Sequence, residues 1–192
     1  MNKKGMMVVL SAPSGCGKDT VFKELSKIRD DVCESVSATT RHPREGEVDG
    51  VNYYFKTDKE FKDMIENDGL LEYAQYNGCY YGTPVSGVEK SVSEGKICFL
   101  IIEVQGAKHI MEKCPDAISI FLMPPSIDCL KDRLLKRNTD SEEMILNRIK
   151  IAEDEIKSST SYDYIVVNND LNKAVDDVNT ILSNELNKRN SL

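Results

Sequence analysis

The chain contains no tryptophan, and its 192 residues include only two histidines, His42 and His109. Two isolated imidazoles are too few to build a metal centre, and the six cysteines, at 16, 33, 79, 98, 114 and 129, include no CxxC pair and no metal-ligand spacing. The thiols therefore read as reduced packing residues of a cytosolic protein. Long apolar runs are missing as well. The longest, Ile97 to Ile102, falls far short of the roughly 20 residues that a membrane-spanning helix needs. The start, MNKKGMMVVLSAPSGC, has an unbroken apolar core only from Met6 to Leu10, below the ~7 residues of a secretory signal. A soluble, cytoplasmic protein without membrane contact is the expectation. Positive charge is in deficit, with Lys plus Arg at 25 against Asp plus Glu at 32 and a net charge of −7, which argues against a general nucleic-acid binder. Any polyanion must be held by a local basic cluster.

One such place lies near the N-terminus. Met6 to Leu10 suits a strand buried on both faces of a parallel sheet, and a glycine-rich turn follows at once. Ser14, Gly15, Cys16 and Gly17 offer small side chains and free amides, and the helical pattern Val21, Phe22, Leu25, Ile28 begins just beyond. Strand, turn and helix N-terminus form an anion site, with Lys18 placed to reach the β- and γ-phosphates of a nucleotide. The candidate ATP cradle is Ala12, Pro13, Ser14, Gly15, Cys16, Gly17, Lys18, Asp19 and Thr20. It departs from GxxxxGK[ST] in two places: Ala12 stands for the first glycine, and Asp19 for the hydroxyl that commonly touches magnesium.

Beyond the helix Thr20 to Arg29, Glu34 to Thr40 reads as a strand or extended segment, and Arg41 and Arg44 flank Pro43 in a turn where two guanidinium forks can converge on one anion. On their own these arginines read as solvated surface charges. Val51 to Phe55 reads as a strand and Asp58 to Asn67 as a helix; Leu70 to Tyr76 and Cys79 to Tyr81 form a hairpin about Asn77-Gly78. Six of the chain's eight tyrosines lie from 53 to 81. With Glu72 and Thr83 among them, this surface has the groups to read a polar ring.

The runs SATTRHPREGEVDGVNYYF, EYAQYNGCYYGTP, LIIEVQGA and VVNND, in this order over nearly the whole chain, closely resemble the guanylate kinases, P-loop nucleoside monophosphate kinases. The resemblance implies transfer of the ATP γ-phosphoryl group to GMP, giving ADP and GDP in purine metabolism, with magnesium. It implies an α/β fold: a three-layer P-loop core with a parallel sheet (1–34, 85–125 and 159–192), a small mixed-sheet GMP lobe (35–84) and a helical lid (126–158). Ser37, Arg41, Arg44, Tyr53 and Tyr81 match positions that hold the GMP phosphate, and Glu72 and Thr83 match positions that read guanine. Arg133, Arg137 and Arg148 match lid arginines on the ATP side, and Asn168 a position near the adenine. Arg41, Arg44, Arg137 and Arg148 thereby join Lys18 as candidate catalytic groups. Magnesium is expected to be held by phosphates and water, with no direct protein ligand and Glu103 as an outer-shell partner.

Lys96 to Gln105 reads as a second buried strand with Glu103 at its carboxyl end, beside the crevice where open α/β sheets bind ligands. A further departure from the family is Ile101, where an acid usually helps to bind GMP, which leaves Glu103 to make that contact. Helices are expected at Val85 to Ser93, Ala107 to Lys113, after Ser126, from Ser141 to Ser158 behind a capping-box-like Ser141 to Met144, and from Leu171 to Leu186. Ala117 to Met123 and Tyr164 to Val167 complete the buried strands. Two other functions remain compatible with the pattern: a non-catalytic interaction module of the same fold, and a P-loop kinase for another small acceptor.

Overall fold

A computed structural model describes residues 5–76, 78–136 and 141–191. Strand β1 (Met6–Ser11) is followed by α1 (Lys18–Ile28) and β2 (Val32–Glu34). A small lobe comprises β3 (Ala38–Thr39), β4 (Tyr54–Phe55), α2 (Asp58–Glu66), β5 (Leu70–Tyr76) and β6 (Cys79–Pro84). The chain then returns through α3 (Val85–Ser93), β7 (Ile97–Ile102), α4 (Val104–Lys113) and β8 (Ile118–Met123). Helices α5 (Ile127–Lys136) and α6 (Glu142–Lys157), a 3-10 turn at Ser158–Ser161, β9 (Tyr164–Val167) and α7 (Leu171–Asn190) complete it.

Strands β2, β7, β1, β8 and β9 lie in that order in one parallel sheet. Alternation of side chains builds a separate core on each face. Met6, Val8 and Leu10 of β1 and Ile97 and Phe99 of β7 join Val21 and Leu25 of α1 and Val178 and Leu182 of α7. Val9, Cys98, Leu100 and Phe121 face the other way, onto Val88 of α3 and Val104, Ala107 and Ile110 of α4. The result is the expected three-layer α/β core. The lobe is a four-stranded mixed sheet, β4-β3-β6-β5, with its own small core of Ala38, Phe61 and Leu70.

Four elements differ from the sequence reading. Glu34 to Thr40 is not one strand: β2 ends at Glu34 in the core sheet, and β3 opens at Ala38 in the lobe, so the run is the crossing between two sheets. Of Val51 to Phe55 only Tyr54 and Phe55 pair regularly, because Val51 and Asn52 turn back with amides donating to Val48 O. Helix α4 starts at Val104, three residues ahead of Ala107, so Glu103 is its N-cap residue. β9 is an edge strand, and Ile165 and Val167 are exposed at 47% and 48%. Ser141 does cap α6 through Met144 N, but Met144 has no polar side chain to complete a capping box. Asn77, half of the expected hairpin turn, lies outside the described residues.

Phe61 anchors the lobe. It is fully buried and stacks on Tyr80 at 5.3 Å, and α2 is fixed above it by a complete capping box between Thr57 and Glu60. Phe61→Ala should therefore destabilise the protein by roughly 3–5 kcal/mol. Urea unfolding followed by circular dichroism measures this; a change near zero would show that the lobe does not depend on that ring.

Candidate active site

The loop after β1 is shaped by two glycines. Gly15 and Gly17 have φ of +91° and +92°, where a side chain would be strained. A Cβ at Gly15 would lie 3.0 Å from Leu134 Cδ2, and one at Gly17 would lie 3.1 Å from Asn168 Nδ2. The turn closes with Cys16 N donating to Pro13 O at 3.1 Å, while Ala12 and Cys16 are buried beneath it. Gly17 is the N-cap of α1, and no side chain caps that helix. The first-turn amides and the positive end of the helix dipole are thus left without a side-chain cap, an arrangement that suits an anion.

Distant residues converge on this loop. Buried Asn168, just past β9, donates from Nδ2 to Cys16 O at 2.8 Å, and Arg133 of α5 donates to Asn168 O at 2.8 Å and to Cys16 O at 3.4 Å. Arg148 of α6 reaches Ser14 Oγ at 3.5 Å. Lys18 Nζ bridges Ala12 O and Glu103 Oε1, each at 3.4 Å. Asp19 and Thr20 lie exposed at the start of α1. Arg137 and the expected 138–140 loop lie outside the described residues.

The second half of the site is in the lobe. Arg41 packs over the Tyr53 ring, 5.4 Å from its centroid, with Phe55 at 6.0 Å and the Tyr81 ring 6.1 Å from that of Tyr53. Its guanidinium donates to Glu47 Oε1 at 2.8 Å and to His42 O at 2.8 Å. Glu47 Oε2 accepts from Arg44 N at 2.7 Å, so one carboxylate ties both arginine positions together. That hydrogen bond to Arg41 is the main cause holding the Glu47 carboxyl below its usual range. The Arg44 side chain is exposed, and Ser37 is half-buried in the crossing between the sheets.

Glu72 projects from β5 and accepts the Thr83 hydroxyl at 2.7 Å. Burial pushes its carboxyl above the usual range, opposed chiefly by that hydroxyl and, more weakly, by His109. Helix α4 backs this residue: a Cβ on Gly106 would stand 3.4 Å from Glu72 Oε2, and Lys113 Nζ donates to Leu70 O at 3.0 Å. The same helix presents Glu103 to Lys18 at its other end. α4 therefore touches both halves of the site.

Three contributors escaped the sequence reading. Glu47 carried a faint signal, an acid in the turn that holds both arginines. Gly106 stands just ahead of the expected helix Ala107 to Lys113, and its lack of a side chain leaves room for the Glu72 carboxylate. Glu155 of α6 carried no signal; burial raises its carboxyl to about 7, helped by the Glu103 charge and opposed by Lys18.

Known proteins place this arrangement in a family. A family model described as Guanylate kinase matches residues 4–185. Curated proteins named Guanylate kinase include one from Oceanobacillus iheyensis, 49% identical over 189 residues, covering 98% of this chain and 92% of that one. Another, from Clostridium perfringens, is 48% identical over 181 residues, covering 94% and 84% of the two chains. The crystal structure of guanylate kinase from Anaplasma phagocytophilum superposes with a TM-score of 0.72 at 34% identity, covering 96% of this chain and 87% of that one. With the match spanning the P-loop, the lobe and the helices between them, the chain belongs to the guanylate kinase family.

Proposed function

We propose a division of labour among these residues for the ATP:GMP phosphoryl transfer that the chain, as a guanylate kinase, carries out. The observation that carries the acceptor assignment is the Thr83 hydroxyl bonded at 2.7 Å to the Glu72 carboxylate, on the same α4-backed surface that leads to Lys18. Guanine presents N1–H and a 2-amino group, two donors that a carboxylate accepts together; adenine has neither. The Thr83 hydroxyl rotates from Glu72 to donate to O6. Tyr53, Tyr81, Ser37, Arg41 and Arg44 hold the GMP phosphate, with Arg41 exchanging Glu47 for phosphate oxygens.

On the donor side, the amides of the Ala12 to Thr20 loop and Lys18 hold the ATP phosphates, Arg133 and Asn168 fix the loop, and Arg137 and Arg148 belong to the closing lid. Core 1–34, 85–125 and 159–192, lobe 35–84 and lid 126–158 are the parts that move against one another. Phosphoryl transfer runs through a loose transition state, so alignment and neutralisation of charge do most of the catalysis. The acceptor oxygen is already anionic near neutral pH, and no general base is required. Lid closure excludes water that would otherwise hydrolyse ATP.

The oxygen donors here, Asp19, Thr20 and Glu103, suit a hard cation, and their exposure suits one that keeps most of its water. Magnesium bound to the nucleotide would supply neutralisation of the bridging phosphate oxygens, with Glu103 accepting from its water shell. Among the described residues no helix is long and apolar enough to cross a membrane, and a cytoplasmic location fits that.

A coupled assay with GMP, AMP, CMP and UMP tests the whole reading, and turnover with GMP alone is expected. Lys18→Ala should lower turnover by a factor on the order of a hundred or more while leaving the circular dichroism spectrum unchanged; near-normal turnover would remove Lys18 from the reaction. Glu72→Gln turns a donor toward the guanine donors and should weaken GMP by about 2 kcal/mol with little effect on ATP. Equal weakening of both nucleotides would make Glu72 a fold residue. Glu103→Ala should raise the GMP requirement and slow transfer together, and Ile101→Asp should partly rescue it. A folded double variant no better than Glu103→Ala would refute the compensation.

A further inference from the structure

Phosphoryl transfer uses no cysteine nucleophile, yet two of the free thiols face each other. Cys33 in β2 is the register partner of Cys98 in β7 across a parallel pair. Both side chains turn to the same face of the sheet, Cys98 fully buried in the second core and Cys33 half-buried against it. Adjacent strands lie about 4.8 Å apart. That falls within the Cα separation of roughly 4.4–6.8 Å that a disulfide spans.

The surroundings set the two sulfurs apart. The Cys98 thiol lowers Cys33 to about 6, aided by the Ser91 hydroxyl of α3 and the Lys96 ammonium and opposed by burial and the Glu94 carboxylate. Cys98 is pushed upward, first by Cys33 and then by burial. Exposure sets the order: Cys33, half-buried on the edge strand, is the sulfur a small oxidant reaches, and fully buried Cys98 is the one that follows. Cys16, in the phosphate loop, is held at about 12 by burial and is unreactive.

We propose that Cys33 and Cys98 are an oxidation site at which a peroxide converts the paired thiols into a disulfide between β2 and β7. The Cys33 sulfur attacks one peroxide oxygen; an S–O bond forms, the O–O bond breaks, and the departing hydroxide takes up the proton that the Cys33 thiol released and leaves as water. Cys33 is oxidised to the sulfenic acid and the peroxide is reduced by two electrons. The Cys98 sulfur then attacks the Cys33 sulfur, an S–S bond forms as the S–O bond breaks, and the hydroxyl leaves with the Cys98 proton as a second water. This chemistry stands independently of the nucleotide-site assignments.

Its location gives it a consequence. β2 is the edge strand from which the chain leaves the core, since Ser35 N donates to Phe99 O at 2.8 Å and the lobe's β3 opens at Ala38. A covalent link there restrains the root of the GMP lobe and lowers turnover. The purified full chain, treated with hydrogen peroxide and digested after alkylation, should yield a Cys33–Cys98 linked peptide. Turnover should fall several-fold and return with dithiothreitol. Cys33→Ser and, separately, Cys98→Ala, each checked for folding by circular dichroism, should lose the reversible inhibition. Absence of the linked peptide in the wild-type chain overturns the proposal, as does reversible inhibition that persists in a folded Cys33→Ser protein. A disulfide that leaves turnover unchanged overturns its effect on the lobe.

Discussion

A strand buried on both faces can stand in the middle of a domain only if its backbone is paired on both edges, and β1 is paired by β7 along its whole length and by β8 from Val8 to Ser11. The phosphate loop starts where that pairing ends. Its position is consequently set by the stiffest part of the molecule, while its shape comes from two left-handed glycines and from Asn168, which reaches across from the far side of the sheet to bond Cys16 O. Anion binding needs amides held apart from one another and aimed inward. The cost of holding them so is met by the surrounding core, because the loop by itself makes few bonds of its own.

Lys18 and Arg41 each already have a carboxylate partner before substrate arrives. Lys18 lies against a Glu103 carboxylate whose side chain is 68% exposed, an arrangement worth little in solvent and easily exchanged for a phosphate of higher charge. Arg41 is held differently. Its pair with Glu47 is mostly covered, at 17% and 19% side-chain exposure, and sits over the Tyr53 ring, so the guanidinium is pre-oriented and gives up a stronger contact. On the proposed assignment, the donor side opens to ATP at small cost, whereas the acceptor side favours a ligand that displaces a carboxylate, as a phosphate dianion does.

Much of this was legible in the residue pattern because the informative segments obey one period or one motif. Met6 to Leu10 and Ile97 to Ile102 are continuous apolar runs, Ile118 to Met123 is broken only by Ser119, and each is readable as a strand without neighbours. Glu34 to Thr40 misled because β-branched residues favour extended backbone and carry no information on which sheet accepts them. The fold splits them between two sheets. Val167 looked buried in YIVV, yet β9 has a partner on one edge only, and edge position is a tertiary property. Glu155 was invisible for a similar reason: one acid among many on a charged helix is distinguished only by the packing that brings it near Glu103 and Lys18. Gly106 shows the limit most clearly, since what matters there is an absent methyl group facing a carboxylate that lies 34 positions earlier in the chain.

That absence bears on selectivity. Glu72 is kept in a site that disfavours its charge, an effect opposed chiefly by the Thr83 hydroxyl and more weakly by His109 and the Thr83 backbone. A buried carboxylate with spare acceptor capacity gains most from a ligand that brings two donors at once, and least from one that brings none. The raised proton affinity works in the same direction: on the proposed assignment of Glu72 to guanine, as pH falls through the displaced carboxyl range, Glu72 becomes a donor itself and loses its match to the base before an exposed carboxylate would. On that assignment, specificity and pH sensitivity of the acceptor site come from one cause, burial of Glu72 against the bare face of α4.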